Sequence, residues 1–288
     1  MRVGCGRTVR MDTTYLYLNG DIIPTVEAAI SPLDIGLLRG YAVFDLLRTA
    51  GARPFMLEEH LKRLRHSAAE LGLEVPVSDE AIRTVITRLL ELNRHGEATV
   101  RLVLTGGVSP EGMTYDPTTP TFLILTHELH ELPASLYETG AALILHEHRR
   151  EIPAAKTTNY LTMLKHRPLV NEAGAIDLLY HDGERVLEAA SASVYFVHGG
   201  TILAPERDVL WGTVGSLTLE LARERYETRL AAVSLDDAFR ADEVFLTSTT
   251  RGVVPIVRID DRLIGSGEPG PVTRDLSAHY QELLTAAR

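Results

Sequence analysis

Glu151-Ile-Pro-Ala-Ala-Lys156-Thr-Thr-Asn-Tyr160 sets a lysine between an expected strand, Ala142 to His146, and a helical run opening near Asn159. Further along, Val186-Leu-Glu188-Ala-Ala-Ser-Ala-Ser193 places a carboxylate in an otherwise apolar strand. A lysine held among apolar neighbours sheds its proton and becomes a nucleophile. A carboxylate reaching the same pocket can hold a proton on the nitrogen of a bound heterocycle. Most lysines are solvated surface residues, because burial without a partner is expensive. The pair therefore needs support from the rest of the chain.

Composition narrows the setting. The chain has 288 residues, 45% of them hydrophobic and 24% charged, enough for one large domain or two medium ones with a real core. A net charge of -10 argues against nucleic acid as a ligand, since phosphate backbones need a basic surface. No run of about eighteen apolar residues stands out, so no membrane span is expected. Met1 to Arg10 is basic but has no apolar stretch of the kind a signal peptide carries. Cys5 is the single cysteine, which excludes an internal disulfide and suits a reducing cytoplasm.

Working outward, Tyr15 to Pro24 reads as a hairpin around Asn19-Gly20. Residues 1–14 are an extension expected to be disordered, with Met11 as a candidate native start. Ile30 to Gly40 is loop-like, and Tyr41 to Thr49 becomes a strand ending at Gly51. Leu57, Leu61, Leu64, Ala68 and Leu71 form a helical stripe closed by Gly72, with Arg63 beside it. A second helix runs from Ser78 to about Asn93. Thr99 to Thr105 is a strand with Arg101, Val103 and Thr105 on one face, and Gly106 to Pro120 is a loop expected to cover a pocket. After a strand at 121–126, the polar segment 127–135 reads as a linker between a smaller domain (15–126) and a larger one (136–288). In the second half, Pro168 predicts a kink or a break in the helix from Asn159 to Ala173. Hairpins are expected around His181 to Glu184 and Gly199-Gly200, then Trp211 to Ser216 leads into a helix through Tyr226. Ser234 to Asp237 resembles a capping box, Pro255 suggests a sheet edge or bulge, and a last helix follows Pro271. The alternation of strands and helices gives an α/β chain of α+β type.

Several chemistries are absent: there is no GxxxxGK[ST] and no GxSxG. His146 and His148 share a strand face, but with no third ligand near them a solvated pair is expected, and no metal. Two segments can cradle a phosphate. Gly212-Thr213-Val214 stands before a helix, where free N–H groups and the dipole favour an anion. Ser248-Thr249-Thr250 offers hydroxyls and a turn. Together with Lys156 and Glu188 they make what pyridoxal 5'-phosphate needs: a lysine to condense with its aldehyde, a partner for its ring nitrogen and a phosphate cup. Arg101, a charge midway through an apolar strand, either pairs with an internal carboxylate such as Asp45 or waits for a substrate carboxylate. Arg39 and Arg48 carry the same two readings.

The order of these pieces resembles the fold-type IV enzymes, the class IV aminotransferase family. The resemblance runs from about Tyr15 to the C-terminus. It rests on Leu38-Arg-Gly-Tyr-Ala-Val-Phe-Asp45, Glu59-His-Leu-Lys-Arg63-Leu, Lys156-Thr-Thr-Asn-Tyr160, Glu188 to Phe196, Trp211-Gly-Thr-Val214, Asp242 to Thr250 and Gly270-Pro-Val-Thr273. It implies a two-domain fold like that of D-amino acid aminotransferase, a homodimer with active sites near the subunit boundary, and pyridoxal 5'-phosphate as cofactor. Lys156 is then the catalytic residue. Arg63, Tyr160, Glu188, Thr213, Val214, Ser248 and Thr249 join it around the cofactor, and Arg39, Phe44, Arg101 and Thr250 face the substrate. Two departures stand out: Ser193 replaces the family's asparagine, and Val214-Gly215 replaces its Thr-Arg.

Substrate choice rests on the first half. The carboxylate-binding arginine of one D-amino acid group is missing near Gly106, and Thr99 stands where branched-chain enzymes have tyrosine. Arg39 and Arg101 resemble the two carboxylate-binding arginines of a smaller D-amino acid group. The resemblance implies transamination between a D-amino acid, such as D-alanine or D-glutamate, and 2-oxoglutarate or pyruvate. A branched-chain L-amino acid aminotransferase, an aminodeoxychorismate lyase, an (R)-amine transaminase and a binding protein without turnover remain as alternatives.

Overall fold

Two β-sheets meet along the segment that carries Lys156. The computed structural model describes residues 14–130 and 132–288; residues 1–13, with Met11 as a candidate start, and Glu131 of the expected linker lie outside these. The first sheet has six strands, β1 (Tyr15–Leu18), β2 (Asp21–Pro24), β3 (Ala42–Ala50), β4 (Arg53–Pro54), β5 (Ala98–Thr105) and β6 (Thr121–Glu128), in the order β2-β1-β6-β5-β3-β4. Leu18 faces Asp21 across the Asn19-Gly20 turn, as the sequence predicts.

Helices α2 (Leu57–Glu70) and α3 (Asp79–Asn93) cover one face of this sheet. Leu57, Leu61, Leu64 and Ala68 of α2 are buried, as are Ile82, Ile86 and Leu89 of α3. They meet Val43 and Leu47 of β3 and Val100, Leu102 and Leu104 of β5. Each such large aliphatic side chain contributes roughly 1.5–3 kcal/mol when fully buried. Because side chains alternate along a strand, the intervening residues Phe44, Leu46, Arg101 and Val103 turn to the other face, where the cavity described below lies.

A short helix, α4 (Ser135–Glu138), leads into the second sheet. That sheet has nine strands: β7 (Ala141–Glu147), β8 (Asp177–His181), β9 (Val186–Ala189), β10 (Ser193–His198), β11 (Thr201–Pro205), β12 (Thr228–Ala231), β13 (Glu243–Ser248), β14 (Gly252–Ile259) and β15 (Arg262–Leu263). The order is β12-β11-β10-β13-β14-β7-β8-β9, with β15 beside β14. Helices α6 (Thr213–Arg223) and α8 (Pro271–Ala286) pack on one face through Val214, Leu219, Leu276 and Tyr280. On the other side Ala238 of α7 (Leu235–Arg240) joins Leu143, Phe196 and Val244. Ser234 and Asp237 form the expected capping box, with aspartate at the position glutamate usually fills.

Three local expectations are corrected, and a fourth holds in one of its two forms. Within the loop-like stretch, Ile35–Arg39 form a short helix, α1: the Asp34 carboxylate accepts from the Gly36 amide, and Gly40 ends the helix at φ 69°, where glycine is unstrained. Pro168 does not break α5 (Leu161–Glu172). Pro168 and Leu164 are exposed, so the Leu164 carbonyl that loses its donor can meet water. Helix α6 ends at Arg223 rather than Tyr226. Of the two settings expected for Pro255, the bulge holds and the edge does not, since Pro255 lies inside the sheet. It pairs with Phe245 on the β13 side, and on the β7 side pairing begins only at Ile256, with a bulge before Arg258, so its missing N–H is tolerated.

Candidate active site

The Lys156 segment bridges the two sheets. Phe44 N donates to the Lys156 carbonyl at 2.9 Å and Thr158 N to the Ala42 carbonyl at 3.1 Å, a short antiparallel bridge onto β3. From α2, the buried Ser67 hydroxyl accepts the Lys156 amide at 3.0 Å. With both backbone groups held, the side chain enters a cavity of about 520 Å³ between the sheets. Its Nζ lies 4.6 Å from the centroid of the Phe44 ring. Desolvation and the nearby Arg63 guanidinium lower the Lys156 amine from 10.5 to about 7, against the opposing pull of Asp45. At neutral pH about half of the amine is then neutral, which is the form that reacts.

Glu188, from β9, is buried at one end of the cavity. Arg150 Nε donates to its Oε1 at 2.6 Å, and the Leu210 amide donates to Oε2 at 3.1 Å. Burial raises the Glu188 carboxyl above the usual range, while Arg150 and the Leu210 amide pull against that rise. Tyr160 lines the same space and meets Phe44 edge-on at 5.7 Å. Desolvation raises its phenol, so the hydroxyl keeps its proton.

Arg63, Thr213, Val214, Ser248, Thr249 and Thr250 also line the cavity. Thr213 and Val214 open α6, whose first amides have no intrahelical acceptor. The buried Ser248 hydroxyl oxygen has no hydrogen-bond partner among the described residues. Gly215 follows where a Cβ would collide with the Tyr195 hydroxyl, so a side chain there would displace either Tyr195 or the start of α6.

Arg101 projects into the cavity with its guanidinium 5.2 Å from the Phe44 centroid. It does not pair with Asp45, contrary to one reading of the sequence. Leu46 is opposite Arg101 in the β3–β5 register and Asp45 is opposite Leu102, so the two side chains leave opposite faces. Asp45 instead takes Arg63 and His60 on the helix side. Arg48 follows Phe44 and Leu46 along their face but is buried away from the cavity, donating to the Thr49 carbonyl. Arg39, expected to face the substrate, also lies outside the cavity. It is exposed at the end of α1, where it donates to the Leu38 carbonyl at 2.9 Å and approaches the Met113 sulfur at 3.4 Å. The Gly106–Pro120 loop does not cover this chain's cavity. It folds onto α1, with Ile35 N donating to the Gly107 carbonyl and Ser109 N to the Leu33 carbonyl. The rings of His146 and His166 lie 4.2 Å apart, and no group of three metal-binding side chains occurs among the described residues.

Sequence reasoning missed Arg150, Asp45 with His60, and the Ser191–Arg251–Asp177 group that closes the cavity near Thr250. The available signal was Arg149-Arg150, immediately before the stretch that begins at Glu151.

Residues 42–259 match the sequence profile of the family described as Amino-transferase class IV. The chain belongs to the class IV aminotransferases. Among its relatives is a putative branched-chain-amino-acid aminotransferase of Methanocaldococcus jannaschii, 31% identical over 282 residues, covering 94% of this chain and 96% of the relative. A D-alanine aminotransferase of Bacillus licheniformis is 30% identical over 279 residues, covering 92% and 95%. The T.th. branched-chain amino acid aminotransferase with pyridoxamine 5'-phosphate superposes with a TM-score of 0.87 at 28% identity, covering 96% of this chain and 95% of that one.

A class IV aminotransferase uses pyridoxal 5'-phosphate, and the donor set suits that group. A guanidinium, an open helix N-terminus and an orphaned hydroxyl serve an anion, and a buried carboxylate and a depressed amine complete the lining. No helix among the described residues is long and apolar enough to cross a membrane.

Proposed function

We propose that the enzyme passes the amino group of a D-amino acid, of the D-alanine or D-glutamate type, to a 2-oxo acid such as 2-oxoglutarate or pyruvate. Bound pyridoxal 5'-phosphate supplies an aldehyde that condenses with amines and a ring that draws electrons from the adjoining carbon. Lys156 carries the cofactor and moves the proton at the substrate Cα, for which an amine titrating near pH 7 is suited. Glu188 would hold the proton of the ring nitrogen, and Tyr160 would lie near the ring. Arg63, Thr213, Val214, Ser248 and Thr249 hold the phosphate, with the first amides of α6 as further donors.

The observation that carries the substrate reading is Arg101. Its guanidinium has no carboxylate or carbonyl partner among the described residues and shares the Phe44 ring with Lys156. A fork left open beside the reacting amine suits a substrate carboxylate. Phe44 and Thr250 flank that substrate.

Arg39 enters the reading through a second copy of the chain. Beside it Leu37 is 69% and Met113 is 76% exposed, an apolar surface that supports a homodimer. In that dimer α1 and the Gly106–Pro120 loop reach the partner's cavity, where Arg39 would add a second carboxylate fork. A branched-chain L-amino acid is the second reading, favoured by the apolar wall of Phe44, Leu46 and Val103.

Single-turnover reactions of the loaded enzyme with D-alanine, D-glutamate, L-leucine and (R)-phenylethylamine separate the two. Bleaching of the cofactor absorbance by the D-amino acids supports the proposal. Rapid bleaching by L-leucine with no response to the D-series overturns it.

A further inference from the structure

Arg150 contacts two parts of the active site at once. It lies beyond the end of β7 and is largely buried. Its Nε donates to Glu188 Oε1 at 2.6 Å, its Nη1 to the Ala155 carbonyl at 2.8 Å and its Nη2 to the Pro153 carbonyl at 2.5 Å. Ala155 immediately precedes Lys156. A single planar guanidinium thus joins the Glu188 carboxylate to the turn that delivers the lysine. Only a rigid fork reaches three acceptors in this way.

We propose that Arg150 is a positioning residue that fixes the shared proton on the cofactor's ring nitrogen rather than on Glu188, and that ties Glu188 to the Lys156 segment. The proposal rests on the reading above, in which Glu188 faces that nitrogen. Its physical basis is the donor pattern. Both oxygens of Glu188 accept from protein N–H groups, Oε1 from Arg150 and Oε2 from Leu210. Such a pattern stabilises the carboxylate and opposes the carboxylic acid. Burial acts in the other direction, favouring the neutral acid. Lys156, Tyr160, Tyr180 and His148 face the same corner of the cavity, and none of them hydrogen-bonds to Arg150 or Glu188.

When a ring nitrogen meets Glu188, one proton lies between two bases and resides on the stronger. With Arg150 in place Glu188 is the weaker base, and the proton stays on nitrogen. Without it, a buried carboxylate is left with one amide donor, becomes the stronger base and takes the proton. No bond other than N–H and O–H changes, and no further reactant is needed.

The test loads wild type, Arg150→Gln, Arg150→Lys and Glu188→Gln with pyridoxal 5'-phosphate labelled with ¹⁵N in the ring, and reads the ¹⁵N chemical shift. Infrared difference spectra of the apo-proteins report a protonated carboxyl. Wild type should show a protonated nitrogen and Glu188→Gln an unprotonated one. Arg150→Gln should move most of the way toward Glu188→Gln and gain a carboxylic-acid band that disappears when Glu188→Gln is added to it. Arg150→Lys should restore the nitrogen proton, yet bind the cofactor about tenfold more weakly, because an ammonium replaces the three-way fork with a single point of attachment. A wild-type shift in Arg150→Gln with no new band overturns the proposal. Glu188→Gln with a wild-type shift would instead refute the placement of Glu188, while the apo-protein band still decides what Arg150 does to the carboxyl. Should Arg150→Gln not fold, Arg150→Lys decides: wild-type cofactor affinity contradicts the tether, and loss of the nitrogen proton contradicts the charge argument.

Discussion

Asp45 and Arg63 form a bidentate pair. Arg63 Nε donates to Oδ2 and Nη2 to Oδ1, both at 2.8 Å, and the carboxylate is fully buried. The same Oδ1 lies 2.7 Å from His60 Nδ1, and His60 Nε2 is 3.3 Å from the Thr213 hydroxyl. One carboxylate thereby sets the orientation of Arg63 and His60 at the Thr213 end of the cavity, where we propose the phosphate binds. It also accounts for the shape of that end, since a fork fixed on one edge offers its remaining N–H groups in one direction.

Asp45→Asn should therefore weaken cofactor binding and stability together. Removing one charge of a buried pair costs about 3–5 kcal/mol, because the other is left uncompensated. Urea unfolding of the apo-protein and titration with pyridoxal 5'-phosphate measure the two effects. The pH dependence has a defined sign. Burial by itself would raise the Asp45 carboxyl, but Arg63 and His60 outweigh it and hold the group well below the usual carboxylate range. The folded chain therefore gives up the Asp45 proton more readily than the unfolded one. This contribution to stability is complete above the ordinary aspartate value of about 3.9 and fades as the pH falls below it. In Asp45→Asn that acid-side loss should shrink.

Lys156 follows the same sign as Asp45, at higher pH. Its amine titrates near 7 in the folded chain and at 10.5 when unperturbed, so the unfolded state binds the proton more tightly between those values. Apo-protein stability attributable to Lys156 should be full above 10.5 and fall as the pH drops toward 7. Lys156→Met should flatten that slope. Acylation of the apo-enzyme by a small amine-directed reagent, read at Lys156 by peptide mass spectrometry, should rise through about pH 7. A rise only above about pH 10, the range of an unperturbed lysine, would remove the basis for a neutral amine in the cavity.

The exposed flank of α1 yields a prediction about assembly. Leu37 of α1 is exposed, and Met113, exposed as well, approaches Arg39. Leu37→Asp should shift the protein from dimer to monomer in light scattering. If the partner's Arg39 completes each cavity, the monomer should retain bound cofactor yet lose most of its turnover. A monomeric wild type of full activity would contradict this.

The β-hairpins, the stripes of α2 and α3 and the capping box at Ser234 were legible because each depends on neighbours within one or two turns of chain. The meeting of Lys156 and Glu188 in one cavity was legible through the order of motifs. The partners of those motifs were not. Asp45 serves Arg63 rather than Arg101 because of the β3–β5 register, which a single strand sequence does not reveal. Arg150 meets Glu188 only when β7 and β9 lie in one sheet on either side of β8. The tolerance of Pro168 depended on which side of α5 faces water, and α5 alternates too weakly to announce it. Leu161, Leu164 and Leu169 are all exposed. Arg39 was placed in the site by motif alone, and the fold of one chain puts it outside.

The most direct test of the account asks which amine carries the cofactor. Borohydride reduction of the loaded enzyme fixes the link between lysine and cofactor, and proteolysis with mass spectrometry locates it. The account predicts a phosphopyridoxyl group on the peptide containing Lys156 and none on the exposed Lys62 or Lys165. A label on either of those residues, or no label on a protein that has bound pyridoxal 5'-phosphate, would contradict it.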